Sequence, residues 1–312
     1  MLRIKFQNKD LNLFKLYLIA ILLIFSSPSF SETKLIILGS GTPNPDPDRY
    51  GSGYAVVVNE SAYIIDFGPG IVRRISAMSP TWGGAYPSME LQNINTAFLT
   101  HIHSDHSGAL ADLILTPWIM GRDEPLNLYG PEGLKKMSEK ITEAYRDDIN
   151  YRLYGSQPAN NLGFTTNVVE IIKDGIIYKD NNVEVVAFKN AHGEFKNSFG
   201  FLFITNDKRI LFSGDTAVSK NLIKYGKDLD ILVHEVFSSE TFINKSEDWQ
   251  IYHQAHHTSS IDLGIIAHQL KPKKLILSHI LFWGASEESL LTDVRKNFNG
   301  EAIVAKDLMV IE

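Results

Sequence analysis

Short runs of apolar and β-branched residues recur along the chain, and each run is bounded by polar or turn-forming residues. Such runs are typical of strands that have one or both faces buried in a sheet. The pattern predicts strands at residues 34–38, 54–58, 62–67, 96–99, 168–172, 183–188, 199–205, 209–212, 231–233 and 274–277.

Helical spacing of apolar residues appears between these runs, at about 109–118, 132–144, 218–225, 259–269 and 287–297. The last of these helices has Ser286 as a favourable N-cap. Because strands dominate early and recur in pairs, the order favours a mixed α/β fold. We expect two mixed sheets packed face to face with helices outside, rather than a strictly alternating parallel sheet.

The N-terminal residues predict a secretory signal peptide. Basic residues precede the apolar run 16–25, and small polar residues follow it as far as Ser31. This order is typical of an exported protein, and ten apolar residues fall short of the roughly 20 that a membrane-spanning helix needs. We expect cleavage before Glu32 and a periplasmic or secreted mature protein without a stable membrane span. An uncleaved anchor is the alternative.

The remaining residues, 32–312, contain no low-complexity linker and predict one domain. They hold 26 basic and 35 acidic residues, which gives a formal charge of −9. Nucleic-acid-binding surfaces need clustered cations, so this balance argues against a nucleic-acid partner. The chain has no cysteine, which restricts a metal site to nitrogen and oxygen ligands.

Three histidines and a carboxylate follow the predicted strand 96–99 within six residues: His101, His103, Asp105 and His106. Histidines two apart on an extended segment point the same way, so the first two could reach one ion. The turn after them would then direct Asp105 and His106 at a second ion. The alternative is a solvated polar loop, which the density of histidines disfavours.

Further ligands are expected singly, each just beyond a predicted strand. His192, Asp215 and His279 occupy such positions. Strand ends hold side chains rigidly while leaving them open to substrate. Taken alone, each residue would more often be structural, and Asp215 in Ser-Gly-Asp-Thr could be only a turn former. Their joint presence in this order predicts a dinuclear metal site.

The pattern His-x-His-x-Asp-His, followed by His192, Asp215 and His279, resembles the metallo-β-lactamase superfamily. The resemblance covers nearly all of residues 32–312. The branch that contains ribonuclease Z and the zinc-dependent arylsulfatases is similar in further segments: Leu38-Gly39-Ser40-Gly41-Thr42-Pro43, Ile65-Asp66-Phe67-Gly68-Pro69-Gly70, Ser213-Gly214-Asp215-Thr216, His234-Glu235, His257-Thr258-Ser259 and His279-Ile280-Leu281-Phe282-Trp283-Gly284.

This resemblance implies an αββα four-layer sandwich with the site at one edge of the two sheets. It also implies ligand roles for two divalent metal ions. His101, His103 and His192 would hold the first ion, Asp105, His106 and His279 the second, and Asp215 would bridge them. Zinc is the expected metal for such ligands, and manganese or iron would also suit them.

Three other residues receive roles through the same resemblance. His257, oriented by Glu235, would donate a proton to the leaving oxygen, because a carboxylate partner favours the imidazolium form. His257, Glu235 and Asp105 are the expected catalytic residues. Asp66 would accept a hydrogen bond from a ligand histidine and fix its ring. Simple packing near the metals is the alternative for His257 and Glu235, and an ordinary strand-end carboxylate is the alternative for Asp66.

The expected activity is metal-dependent hydrolysis of small sulfate or phosphate esters, of the arylsulfatase or phosphodiesterase type. Asp46 and Asp48 lie in a proline-rich loop, 43–51, that is expected to border the site, and they would repel a long polyanion. Trp283 could supply a flat wall for an aryl leaving group, with core packing as the alternative. A small anionic ester is therefore the expected partner, and a homodimer stays open.

Two other functions remain open. One is tRNA 3′ processing of the ribonuclease Z type, although neither that enzyme's proline, lysine and arginine loop nor its basic tRNA-gripping arm is visible here. The other is a non-catalytic metal-binding module, which the complete set of seven ligand positions disfavours. Hydrolysis of aryl esters with and without chelator would separate the enzyme from the module.

Overall fold

Two mixed β-sheets of seven strands each form the centre of the structure, a computed structural model that describes residues 32–312. The signal peptide predicted at residues 1–31 lies outside these residues. Within the described part of the chain, no helix combines the length and the apolar character that crossing a membrane requires.

The strands of the first sheet are β1 (Thr33–Gly39), β2 (Gly53–Val58), β3 (Ser61–Ile65), β4 (Thr96–Phe98), β5 (Leu126–Pro131), β6 (Thr166–Ile171) and β14 (Val310–Ile311). Those of the second are β7 (Gly175–Lys179), β8 (Glu184–Lys189), β9 (Phe199–Ile204), β10 (Arg209–Phe212), β11 (Ile231–Phe237), β12 (Lys274–Leu281) and β13 (Glu301–Val304). Their orders are β14-β1-β2-β3-β4-β5-β6 and β13-β12-β11-β10-β9-β8-β7.

Helices of the described residues lie on the outer faces of both sheets. They are α1 (Ile71–Met78), α2 (Ser104–Ser107), α3 (Leu110–Ile119), α4 (Leu134–Ala144), α5 (Arg146–Tyr154), α6 (Lys220–Tyr225), α7 (Ser239–Phe242), α8 (Glu247–His256), α9 (Ser260–Leu270) and α10 (Glu287–Arg295). All five predicted helices are present, and the Ser286 hydroxyl accepts the amide of Ser289 as the N-cap of α10.

Three apolar layers separate the four layers of secondary structure. Strand β1 shows how one strand serves two of them, because Leu35 and Ile37 enter the core between the sheets while Ile36 and Leu38 pack under the first group of helices. A third core lies between the second sheet and helices α6, α9 and α10. Burial on both faces explains the continuous apolar runs in the sequence. The expected αββα four-layer sandwich is confirmed.

The strand directions bring several strand ends to one edge. In the first sheet β3 and β4 are parallel, and in the second β10, β11 and β12 are parallel. Strand β8 shares that direction because it is antiparallel to β9, which is antiparallel to β10. The segments after these strands therefore meet at the same edge, where the predicted ligands lie.

The sequence pattern missed helix α1, although it buries four apolar residues, and several elements that are polar, short or peripheral. Strands β7 and β13 are sheet edges, β14 has two residues, and β5 ends in Pro131. Helix α8 buries only His253 and His256, so it has no apolar stripe to detect. Helix α5 likewise buries only Ile149.

Arg122 joins three segments of the first half of the structure. Its side chain is 1% exposed and donates hydrogen bonds to main-chain carbonyls of Ile94, Leu113, Ile114 and Gly163 at 2.7–3.2 Å. Burial lowers its pKa to about 10, so the guanidinium stays charged at neutral pH. The contact at Ile94 fixes the start of the segment that leads through β4 to the histidine cluster.

Replacing Arg122 with methionine should lower the free energy of unfolding by about 3–5 kcal/mol, because several buried carbonyls lose their donor at once. Urea denaturation of a protein that comprises residues 32–312 measures this change. Arg146→Met, on exposed α5, is the matched control and should change stability by no more than about 0.5 kcal/mol. A loss below about 1 kcal/mol for Arg122→Met would contradict the assigned role.

Candidate metal centre

The segment after β4 changes from extended to helical within the histidine cluster. His101 and His103 lie on the extended part, and Asp105 and His106 lie on the short helix α2. Main-chain hydrogen bonds from Ser52 to Asp105 and from Phe67 to His106, at 3.0 and 2.7 Å, hold this turn against neighbouring loops. The change of conformation directs the two pairs of side chains to neighbouring positions.

A first cluster contains the predicted ligands of one ion. Ligand atoms of His101, His103, His192 and Asp215 all lie within 4.8 Å of one another. His101 Nε2 is 3.0 Å from His103 Nδ1, and His192 Nε2 is 3.4 Å from the same atom. Asp215 Oδ2 lies 3.8 Å from His101 Nε2.

A second cluster contains Asp105, His106 and His279 within the same distance limit. His279 Nε2 is 3.0 Å from Asp105 Oδ2, and His106 Nε2 is 3.4 Å from that oxygen. Asp215 lies between the clusters, because its Oδ1 is 3.4 Å from His106 Nε2 and its Oδ2 is 3.6 Å from His279 Nε2. The structure thus brings all seven predicted ligands together and places Asp215 where a bridging carboxylate would be.

The chemistry of these side chains fits divalent cations. His106 Nε2 and Asp215 Oδ1 are buried without a hydrogen-bond partner among the described residues. A buried polar atom in that state is costly unless it binds something. Burial lowers the pKa of His101 well below its usual value and that of His192 to about 4, so both rings are uncharged at neutral pH. Neutral imidazoles and ionised carboxylates are the forms that bind metals.

The carboxylates make the centre strongly negative. Burial would raise the pKa of Asp105, but contacts with His106 and His279 hold it well below the usual range. Burial would likewise lower the pKa of His106, yet the charges of Asp215, Asp105 and Asp66 raise it well above its ordinary value. Buried negative charge therefore attracts positive charge to this position.

The ligand rings are oriented by contacts behind them. His106 Nδ1 donates to Asp66 Oδ2 at 2.7 Å, which is the contact expected for Asp66. The Thr100 hydroxyl lies 3.0 Å from both Asp66 and His101 Nδ1, and His192 Nδ1 donates to the carbonyl of His256 at 2.9 Å. In His101, His106 and His192, Nδ1 therefore points away from the clusters and Nε2 faces them. The sequence did not identify Thr100 and His256.

His279 does not follow its strand, as the sequence analysis expected, but lies within β12. The register with β11 shifts there, because Glu235 pairs with Ser278 and Val236 pairs with Ile280. His279 is the extra residue of this bulge and has a φ of 45°. A bulge redirects a side chain at a sheet edge, which is how His279 reaches the centre from inside a strand.

The pair His257 and Glu235 lies beside the second cluster. His257 Nδ1 is 3.3 Å from Glu235 Oε2 and 4.0 Å from Asp215 Oδ2. The expectation that the carboxylate favours imidazolium is wrong for the metal-free chain, since burial lowers the pKa of His257 to about 4. Burial and the charge of Asp215 raise the pKa of Glu235 well above its usual value. Both shifts therefore disfavour the charged form of each partner.

The remaining histidines lie outside the two clusters. His234 is buried and its Nδ1 donates to the carbonyl of Glu235. His268 lies on α9 and is exposed. His253 and His256, both on α8, lie behind and beside the centre. Their spacing, two histidines three apart just before His257, was a signal that sequence analysis left unassigned.

Two recesses border the centre. The aromatic recess, of about 380 Å³, is lined by Pro43, Asn44, His103, Asp105, Asp215, Lys245, Trp249, Tyr252, His253, His257, His279, Leu281 and Trp283. The proline cleft, of about 580 Å³, is lined by Thr42, Pro43, Asn44, Pro45, Asp46, Pro47, Arg49, Tyr50, Gly51, Pro69, Gly70, Ser104, Asp105 and Gly108. Pro43, Asn44 and Asp105 line both. The proline-rich loop and Trp283 thus border the site, as expected.

Comparisons with known proteins agree with this architecture. Residues 33–261 match the family described as Anti-Pycsar protein Apyc1. A ribonuclease Z of Mycobacterium bovis (strain BCG / Pasteur 1173P2) is 26% identical over 293 residues, covering 89% of this chain and 98% of that protein.

Two solved structures share the fold. The metallo-β-lactamase fold protein YhfI of Bacillus subtilis has a TM-score of 0.69 and 17% identity, and the match covers 90% of this chain and 100% of that one. The short form of human tRNase Z has a TM-score of 0.67 and 21% identity, and the match covers 89% and 98% of the two chains.

Replacing Asp66 with asparagine should weaken zinc binding about 10- to 100-fold, because the amide of Thr100 retains the one remaining acceptor oxygen and a donor NH2 group would then face His106. Competition with a chromophoric chelator measures the affinity. Asp123→Asn, on an exposed loop, is the matched control and should leave the affinity unchanged. Equal affinities for wild type and Asp66→Asn would show that Asp66 does not position a ligand.

Proposed function

The chain belongs to the family of the anti-Pycsar protein Apyc1, and from this membership and its metal centre we propose that it hydrolyses phosphodiester bonds with two divalent metal ions. The fold and the relatives described above indicate a metal-dependent hydrolase of the metallo-β-lactamase fold. Phosphodiesters as the substrate class, and two as the number of ions, are the proposal.

The residues that would hold the ions are those of the two clusters. His101, His103 and His192 would hold one ion and Asp105, His106 and His279 the other, with Asp215 shared. When bound, such a pair of ions lowers the pKa of a water molecule and neutralises charge on an attacked phosphoryl group. Zinc suits this thiolate-free set, and manganese or iron would also be accepted.

The observation that carries the proposal is the pair of recesses that share Asp105 in their walls. A phosphodiester has two organic substituents on one phosphorus atom, and each recess can receive one of them. Asp105 lines both recesses, so a phosphoryl group beside it would have one substituent in each. A monoester or a sulfate ester would leave one recess empty.

The proton for the leaving oxygen would come from the pair of His257 and Glu235. His257 lines the aromatic recess, and Glu235 stands behind it with two main-chain donors, Thr258 and Thr216, on its other oxygen at 2.8 and 3.3 Å. These contacts fix the carboxyl group so that its free oxygen faces His257. The imidazole thus lies between this carboxyl group and the aromatic recess, where it could pass a proton to the leaving oxygen.

A second candidate is tRNA 3′ processing, favoured by the 26% identity to a ribonuclease Z over most of both chains. That reaction also cleaves a phosphodiester. It conflicts with the formal charge of −9 over residues 32–312 and with Asp46 on the proline cleft. Arylsulfatase activity, the first choice from sequence, has no support among the similar proteins described above.

We place the activity outside the cytoplasm as part of this proposal. The support is the order of basic, apolar and small residues over 1–31, which is typical of a signal peptide. Export would also separate the enzyme from precursor tRNA. This placement is tested by fractionating cells and measuring in which fraction the protein occurs and whether it has lost residues 1–31. Full-length protein in the cytoplasmic fraction would contradict it.

The zinc-loaded mature protein should contain about two ions per chain and should hydrolyse bis(4-nitrophenyl) phosphate faster than 4-nitrophenyl phosphate or 4-nitrophenyl sulfate. Chelation should abolish turnover. Elemental analysis and initial rates, with precursor tRNA in parallel at physiological salt, provide the measurements. Efficient 3′ cleavage of the tRNA with negligible turnover of the small diester would favour the second candidate, and a preference for the sulfate would contradict both.

Replacing His257 with alanine should lower kcat about 10²- to 10⁴-fold while leaving the metal content intact. The loss should be smaller for methyl 4-nitrophenyl phosphate than for methyl phenyl phosphate, because 4-nitrophenolate needs less protonation. His268→Ala, exposed on α9, is the control. An equal loss on both diesters would rule out proton donation by His257.

A further inference from the structure

The aromatic recess has a wall of stacked side chains beside the metal centre. The ring of Trp249 stacks on His253 at 5.5 Å and 23°, and the ring of Trp283 packs 4.5 Å from the same histidine. Lys245 Nζ lies 4.3 Å from the centre of the Trp283 ring. Each ring is therefore fixed by a neighbour, and a planar group would meet a preformed surface.

This wall exposes apolar surface that nothing in the described chain covers. Trp249 is 55% exposed although it borders a polar centre. Below it, His253 is only 8% exposed, and its Nδ1 has no hydrogen-bond partner among residues 32–312. Exposed aromatic surface next to convergent polar groups is typical of a ligand site rather than of a solvated face.

The position of His257 decides which part of a diester lies against this wall. His257 lines the aromatic recess and is absent from the lining of the proline cleft. A proton donor must lie within hydrogen-bond reach of the leaving oxygen. The leaving alcohol therefore lies in the aromatic recess, and the substituent that stays on phosphorus lies in the proline cleft.

We propose that the aromatic recess binds a planar aromatic group on the leaving alcohol, and that Trp249 and Trp283 determine this specificity. The proposal rests on the phosphodiesterase function proposed above. In the reaction, a bond forms between phosphorus and a water oxygen, and the bond from phosphorus to the leaving oxygen breaks. The leaving oxygen takes the proton of the His257 and Glu235 pair, and the proton lost by water restores it.

The test uses methyl 4-nitrophenyl phosphate, whose only aromatic group is on the leaving side. Trp249→Ala and Trp283→Ala should each raise KM about 5- to 100-fold, the range expected for loss of one stacking surface, with kcat nearly unchanged. Trp249→Phe, which keeps an aromatic ring, should have a KM close to that of the wild type. Trp82→Ala is the matched control, since Trp82 is an exposed tryptophan of a 3₁₀ turn away from both recesses.

A second readout does not depend on turnover. The uncleavable 4-nitrobenzylphosphonate should quench tryptophan fluorescence of the zinc-loaded protein, and the Trp249→Ala, Trp283→Ala double variant should lose this quenching. If Tyr50→Ala in the proline cleft raises KM while the tryptophan variants do not, the assignment of the recesses is overturned. Absence of turnover by the wild type would contradict the phosphodiesterase function but not binding in the aromatic recess. Quenching that persists in the double variant would contradict binding of the aromatic group at Trp249 and Trp283.

Discussion

The burial of three carboxylates within hydrogen-bond range of shared histidines is the constraint on which the rest of the structure depends. Asp66, Asp105 and Asp215 are each at least nine-tenths buried. Burying ionised groups costs several kcal/mol each unless opposite charge and hydrogen bonds compensate. The parallel strands, the bulge at His279 and the amide of Thr100 all bring compensating groups to one edge, so the fold and the metal centre are specified together.

Most of the architecture could be predicted because it is expressed in apolar runs. All ten predicted strands and all five predicted helices are present in the structure. The two-sheet arrangement required the further observation that strands recur in pairs, since periodicity does not define which strands are neighbours. Short edge strands and polar helices were missed because they bury few apolar side chains and leave no periodic signal. Helix α1 was missed although it buries four apolar residues, because it is only eight residues long.

The candidate ligands could be predicted because their residue types cluster near strand ends. Apart from Asp66, the residues that orient them could not be predicted from the sequence. Thr100 and the carbonyl of His256 act through distances that no spacing reveals. The direction of the pKa shift of His257 also escaped prediction, because it depends on burial more than on its carboxylate partner. The aromatic recess required α8, a helix whose sequence has no apolar stripe.

The two sheets repeat one pattern of strand pairing, in which three antiparallel pairs are followed by three parallel pairs. The candidate ligands are divided between the two halves of the chain. The first half contributes His101, His103, Asp105 and His106, and the second contributes His192, Asp215 and His279. Neither cluster is complete within one half. The second cluster is therefore complete only after β12, which carries His279, has joined its sheet, so a nascent chain would gain the two candidate ion sites one after the other.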